Sequence, residues 1–272
     1  MIRLVAVDLD GTLLDEKGEV DQPRLARILD QLDQRGIRFV VATGNDYYRT
    51  HLLLGDLVER MDLVLANGAK LYHQGVLMQG SFWEPTLVQE ALDYFAGREL
   101  EVHLVVATLE GSFVQEGTTF PLAEKVMTKE RAAEFYSRMH FVPDLRAVAL
   151  PDVLKLGLSV PESEAKALTD QINQDFDHRL SAVTSGYGGI DVLKFGIHKA
   201  WGIQQFLDQA GIAPGDVMAF GDSANDLEML KLAGESYAMA NGDPAVQAIA
   251  KHQAPANSQA GVYRVLEEFL DM

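Results

Sequence analysis

The chain has 272 residues, no cysteine, and 40 acidic against 23 basic side chains, giving a formal charge of -17. Disulfides, zinc–thiolate centres, iron–sulfur clusters and thiol nucleophiles are thereby excluded, and general binding to nucleic acid or an anionic membrane is disfavoured, because both are polyanions. At 47% hydrophobic and 23% charged residues, the composition is that of a folded soluble protein of one or two domains.

If the ligand is an anion, a chain this acidic must attract it locally, through a metal ion, a lysine or a helix N-terminus. The 7 histidines contain no H-x-x-x-H pair, so a histidine-rich zinc site is not expected. No apolar run reaches the roughly 18 residues of a membrane span. Met1 to Leu9 is too short and too soon interrupted by acids to be a signal peptide, and a cytoplasmic location is expected.

Leu4 to Val7 has the continuous apolar character of a buried strand. Pro23 opens a stretch with Leu25, Ile28, Leu29 and Leu32 at helical spacing, which Gly36 stops. Ile37 to Ala42 and Leu63 to Ala66 are further strands, and Leu71-Tyr72 with Val76 to Met78 forms a hairpin around Gly75. The middle reads differently: helix Pro85 to Phe95, strands Val102 to Thr108 and Ser112 to Val114, and helices Pro121 to Met127 and Lys129 to Met139. Strand Val153 to Val160, helix Glu162 to Phe176 and strands Leu180 to Val183 and Ile190 to Leu193 follow. The first pattern then returns with helix Lys199 to Gln209, strand Val217 to Phe220, helix Asn225 to Leu232, strand Ser236 to Met239, and helices Ala245 to Ala250 and Val262 to Leu270. Alternating strands and helices indicate an α/β, doubly wound parallel-sheet (Rossmann-like) core built from residues 1–82 and 191–272. The strand-rich middle, 83–190, indicates an inserted α+β domain.

Four features carry chemistry. Asp8-Leu9-Asp10-Gly11-Thr12 follows the first buried strand, at the carboxyl end where ligands of doubly wound sheets bind. Two carboxylates there repel, which favours a bound cation or a retained proton. Gly221-Asp222-Ser223-Ala224-Asn225-Asp226 follows another apolar strand and opens a helix; N-capping accounts for one of its acids but not for the whole set. Thr43-Gly44 offers a hydroxyl and backbone N–H groups to a phosphate oxygen. Lys199 opens a helix against the dipole preference, which a nearby anion would explain; otherwise it is a solvated surface charge. Carboxylates, a hydroxyl and a lysine at one edge of a sheet suit a hard divalent cation, Mg²⁺ best, and phosphoryl transfer. No P-loop is present.

The order DxDGTLL, a strand ending in Thr-Gly, Lys199, then GDSANDLEML resembles the haloacid dehalogenase-like hydrolase superfamily. Asn67-Gly68-Ala69 and the stretch from Ala238 to Val262, with Asn241, extend the match over nearly the whole chain, and the insertion is similar to the α/β cap of the Cof-type branch. Gln22-Pro23-Arg24, the run from Gly36 to Asn45, Tyr47-Tyr48, Val183 to Gly186 and His198-Lys199-Ala200 resemble its sugar-phosphatase subgroup. Asn45 stands where many Cof-type proteins carry Arg, which removes a bidentate phosphate clamp.

The resemblance implies a phosphatase of small phosphorylated sugars. It makes Asp8 the nucleophile of an aspartyl-phosphate and Asp10 the acid and base. It assigns Mg²⁺ to Asp8, the Asp10 backbone carbonyl and Asp222. Leu9, Thr43, Gly44, Lys199 and Asn225 become phosphate ligands, with Asp226 and Asn45 in support. Tyr187, Tyr47 and Tyr48 are candidate specificity residues; the plainer reading of Tyr47 and Tyr48 is packing between core and helix. The expected partner is a phosphosugar alone, with no nucleic acid or membrane, for a monomer or weak homodimer. The alternatives are a phosphosugar mutase using the same intermediate and a non-catalytic sugar-phosphate sensor.

Overall fold

The computed structural model describes residues 1–120, 136–185 and 188–272. Contacts divide the chain into one unit of residues 1–80 and 197–272 and a second of residues 81–196. The strands in chain order are β1 (Leu4–Val7), β2 (Arg38–Ala42), β3 (Asp62–Leu65), β4 (Lys70–His73) and β5 (Val76–Gly80). The second unit holds β6 (Val105–Thr108), β7 (Ser112–Gln115), β8 (Met139–Val142), β9 (Val153–Ser159), β10 (Leu180–Thr184) and β11 (Gly189–Lys194). The chain ends with β12 (Val217–Gly221), β13 (Glu235–Met239) and β14 (His252–Ala254).

The first unit is an eight-stranded sheet of order β14-β13-β12-β1-β2-β3-β4-β5. Pairing is parallel from β14 to β3, and the hairpin β4–β5 adds an antiparallel edge. Strand β1 sits where the order reverses, the point at which doubly wound sheets place their ligands. Its alternate side chains enter two separate cores. Val5 and Val7 pack with α1 (Gln22–Gln34), whose Leu25, Ile28, Leu29 and Leu32 are buried, and with Val262 and Leu266 of a C-terminal helix, Gly261–Leu270. Leu4 and Ala6 pack on the other face with Ile203, Phe206 and Leu207 of the helix Lys199–Ala210. Helix α1 starts because Asp21 accepts a hydrogen bond from the Arg24 backbone at 3.0 Å and Pro23 suits the first turn.

The second unit is a six-stranded sheet, β10-β11-β9-β6-β7-β8, antiparallel except between β7 and β8. Val106, Leu156, Leu158, Ile190 and Val192 from this sheet share a core with the helices Pro85–Tyr94 and Glu162–Asp175.

The fold is therefore α/β, a Rossmann-like core with an inserted α+β domain. Several expected boundaries shift. The inserted unit runs past residue 190, because the whole of Gly189–Lys194 is sheet and Gly189 to Leu193 pair with β9. Strand β6 begins at Val105 rather than Val102, since His103 has a φ of 47° and the turn before it hydrogen-bonds Leu104 N to Glu99 O at 2.8 Å. The expected helix to Met139 gives way to β8 at that residue. Its earlier part, and the expected helix Pro121 to Met127, lie outside the described residues. Strand β14 and the helix Tyr47–Leu54 are additions. Among the described residues no helix is long and apolar enough to cross a membrane.

Candidate active site

Asp8 extends the alternation of β1, so its side chain follows Leu4 and Ala6 toward the helix that Lys199 opens. The segment after it is a widened turn. Leu13 N bonds Asp8 O at 3.2 Å and Leu14 N bonds Leu9 O at 2.9 Å, both spanning five residues. Gly11 makes the turn feasible: its φ is +78°, and a Cβ there would stand 2.4 Å from Asp222 Oδ2. Leu9 is wholly buried in the core and has only backbone groups to offer a ligand.

Lys199 is the centre of the cluster. Its Nζ lies 2.7 Å from Asp8 Oδ1 and 2.7 Å from Asp226 Oδ1, with the lysine side chain 0% exposed. His198 caps this helix through Nδ1, which accepts from Trp201 N at 3.1 Å, and burial lowers its pKa, consistent with a neutral acceptor. The lysine at the helix start thus has its anions. Burial alone would discharge the ammonium, but the Asp226 and Asp8 carboxylates outweigh it and raise its pKa.

Asp226 reaches in over Gly221, where a Cβ would meet its own Cβ at 2.5 Å. Its Oδ2 accepts the backbone N–H groups of Asp222 (2.9 Å) and Ser223 (3.0 Å), tying the loop after β12 to Lys199. Asp222 accepts the Thr12 hydroxyl at 2.7 Å. Gly242 lets a second loop close in, since a Cβ there would be 2.8 Å from Asp222 O.

Oxygens of Asp8, Asp222 and Asp226 lie within 4.8 Å of one another, a set that could hold a metal ion. One ammonium does not balance three carboxylates. Burial lifts Asp8 well above the ordinary carboxylate value, with Asp226 and Asp222 adding to the rise against the pull of Lys199. Burial and then the Asp226 charge push Asp222 up to about 6. This excess of buried negative charge, presented by hard oxygen donors, fits a divalent cation. Asp226 already serves Lys199 and two N–H groups, so Asp8 and Asp222 are the more available ligands.

Around this centre, Thr43 is buried and its Oγ1 accepts Asn45 N at 3.2 Å. Gly44 follows at the carboxyl end of β2. Ala66 and Asn67 both have positive φ after β3, a strained path that brings Asn67 N to Thr43 O at 2.9 Å. Asn225 Nδ2 donates to Asn67 Oδ1 at 3.1 Å, and Asn225 Oδ1 accepts the Ser223 hydroxyl at 2.6 Å. Gly68 is required next to this, because a Cβ would come 2.4 Å from His198 O.

Asp10 stands apart from the buried acids. Its side chain is 53% exposed and bonds Asn45 Nδ2 at 2.7 Å and Arg49 Nη2 at 2.9 Å. Arg49 was not among the residues expected from sequence, and nothing in the sequence alone ties it to Asp10. Tyr47 stacks on Tyr72 with ring centroids 4.5 Å apart, the packing arrangement. Tyr48 is half-buried on the next position. Tyr187 lies outside the described residues.

The family model for haloacid dehalogenase-like hydrolases matches residues 5–266, almost the whole chain. The chain belongs to that family. This hydrolase is 30% identical over 270 residues to the 5-amino-6-(5-phospho-D-ribitylamino)uracil phosphatase YbjI of Escherichia coli K12, covering 99% of this chain and 96% of that one. It is 27% identical over 252 residues to an HMP-PP phosphatase of Serratia proteamaculans, with 92% and 88% covered. Among solved structures, SMU.1108c of Streptococcus mutans UA159 superposes with a TM-score of 0.91 at 31% identity, each chain covered 100%.

Proposed function

We propose that this hydrolase is a Mg²⁺-dependent phosphomonoesterase of small sugar or sugar-alcohol phosphates, working through an aspartyl-phosphate on Asp8. The observation that carries the reading is the buried Asp8–Lys199–Asp226 chain beside Asp222. It supplies a nucleophilic carboxylate, a cation for the phosphoryl oxygens and a metal position within one cluster. The phosphatase names of its relatives support the reaction class, and the phosphorylated ribityl chain in one of those names supports a polyol ester.

In this reading an Asp8 oxygen bonds to phosphorus as the phosphorus–oxygen bond to the leaving alcohol breaks, and Asp10 gives that oxygen its proton. Water then attacks phosphorus, Asp10 takes a proton back, and the bond to Asp8 breaks to release phosphate. Lys199, Thr43 with the adjacent Gly44 amide, and Asn225 hold the phosphoryl oxygens, while Asp226 keeps Lys199 charged and in place. Mg²⁺ held by Asp8, Asp222 and the Asp10 carbonyl would offset the negative charge that keeps a carboxylate and a phosphate apart. Asn45 and Tyr48 are the proposed contacts to the sugar.

A phosphate-release screen over sugar and sugar-alcohol monophosphates, with Mg²⁺ and with EDTA, tests the reading. Metal-dependent release of inorganic phosphate supports it. An isomeric sugar phosphate as product would make the protein a mutase, and binding without turnover would make it a sensor.

A further inference from the structure

We infer that Arg49 is a positioning residue for proton transfer, holding Asp10 in the orientation from which it protonates the leaving oxygen; this rests on the acid–base role given to Asp10 above. Arg49 is the third residue of the helix Tyr47–Leu54, whose cap Asp46 accepts the Arg49 backbone N–H at 2.8 Å. A cation in the first turn faces the positive end of the helix dipole. The same mismatch at Lys199 is resolved by buried carboxylates, and at Arg49 it is resolved by Asp10. Each Asp10 oxygen has its own donor: Oδ1 takes Arg49 Nη2 at 2.9 Å and Oδ2 takes Asn45 Nδ2 at 2.7 Å.

The tether matters because Asp10 lies in the widened turn with extended backbone angles, φ −70° and ψ 122°, and half its side chain is exposed. The donors are themselves anchored, Asn45 through its N–H to Thr43 Oγ1 and its carbonyl to Ala66 N at 3.0 Å. An ion pair this exposed adds little to stability, so its loss should reach the chemistry and spare the fold.

The test compares phenyl phosphate with p-nitrophenyl phosphate, two esters of similar shape. Nitrophenolate departs without a proton, whereas phenolate needs one. The ratio kcat/KM reports the steps up to departure of the leaving group, before Asp10 acts as base. Arg49→Met should lower kcat/KM for phenyl phosphate by more than about tenfold while the nitrophenyl ester changes little, and Arg49→Lys should recover most of the loss. The melting temperature should stay near that of the parent protein. If the parent cleaves sugar esters alone, their alkoxide leaving group needs its proton as phenolate does, so Arg49→Met should lower kcat/KM for the sugar ester and Arg49→Lys should recover most of the loss, with the melting temperature unchanged. Equal losses on both esters, or no loss on either, overturn the role of Arg49. A parent protein that releases phosphate from no ester overturns the phosphatase reading instead.

Discussion

Replacing Lys199 by Met keeps most of the length of the side chain and removes the ammonium that faces Asp8 and Asp226. All three side chains are nearly or wholly buried, so water cannot take over the missing interaction. Removing one partner of a buried ion pair costs about 3–5 kcal/mol. That is a large share of the roughly 5–15 kcal/mol that holds a domain together. At a urea slope of about 2 kcal/mol/M, the midpoint of the first unit should fall by about 2 M. Trp201 lies on the same helix and reports this transition when Trp83, in the other unit, is changed to Phe in both proteins. The measurement belongs in EDTA, so that no cation replaces the lysine. Asp8 is already raised in the folded state, and without Lys199 it rises further. The folded state then binds more protons than the unfolded one, so stability falls as pH climbs above the ordinary carboxylate range. Acidification from pH 7.5 to 5 should therefore restore part of the loss. A loss below about 1 kcal/mol, or one that grows on acidification, would refute the burial argument.

Asp8→Asn retains the shape of the nucleophile without its charge and should abolish phosphate release; appreciable residual turnover in clean protein would remove Asp8 from the role. With Asp222 raised to about 6, protons compete with the metal below that value. Mg²⁺ should therefore raise the melting temperature at pH 7.5 and scarcely at pH 5, and equal shifts at both would exclude Asp222 as a ligand. Gly11→Ala forces a Cβ into Asp222 at a positive φ, so Mg²⁺-induced stabilisation and activity should both fall sharply; a variant that binds Mg²⁺ normally would show that the turn has slack.

The core was legible because its residues obey local rules. Leu4 to Val7 could only be a buried strand, and Asp8 had to emerge at its carboxyl end. Lys199 stood out by its conflict with the helix dipole, which a nearby anion would explain, and in the structure its Nζ lies beside Asp8 and Asp226. Asp226 was harder to place from sequence, because an acid in a first turn is an ordinary cap. Its reach to Lys199 depends on the empty space above Gly221, which is a tertiary fact. Arg49 escaped notice for the same reason: an arginine on a helix has no meaning until the Asp10 turn is folded beside it. The strand β8 and the late return to the core at residue 197 depend on sheet pairing between distant segments, and periodicity carries no record of partners.

If the phosphoryl group passes through Asp8, it can be caught there. The protein is mixed with a hydrolysable monophosphate and Mg²⁺, quenched in acid within the first turnover, and digested for mass spectrometry. One phosphoryl group is expected on the peptide containing Asp8, appearing before free phosphate and absent when Mg²⁺ is removed. Phosphate released at full rate with no phosphoryl group on Asp8 at any time point would contradict passage through Asp8.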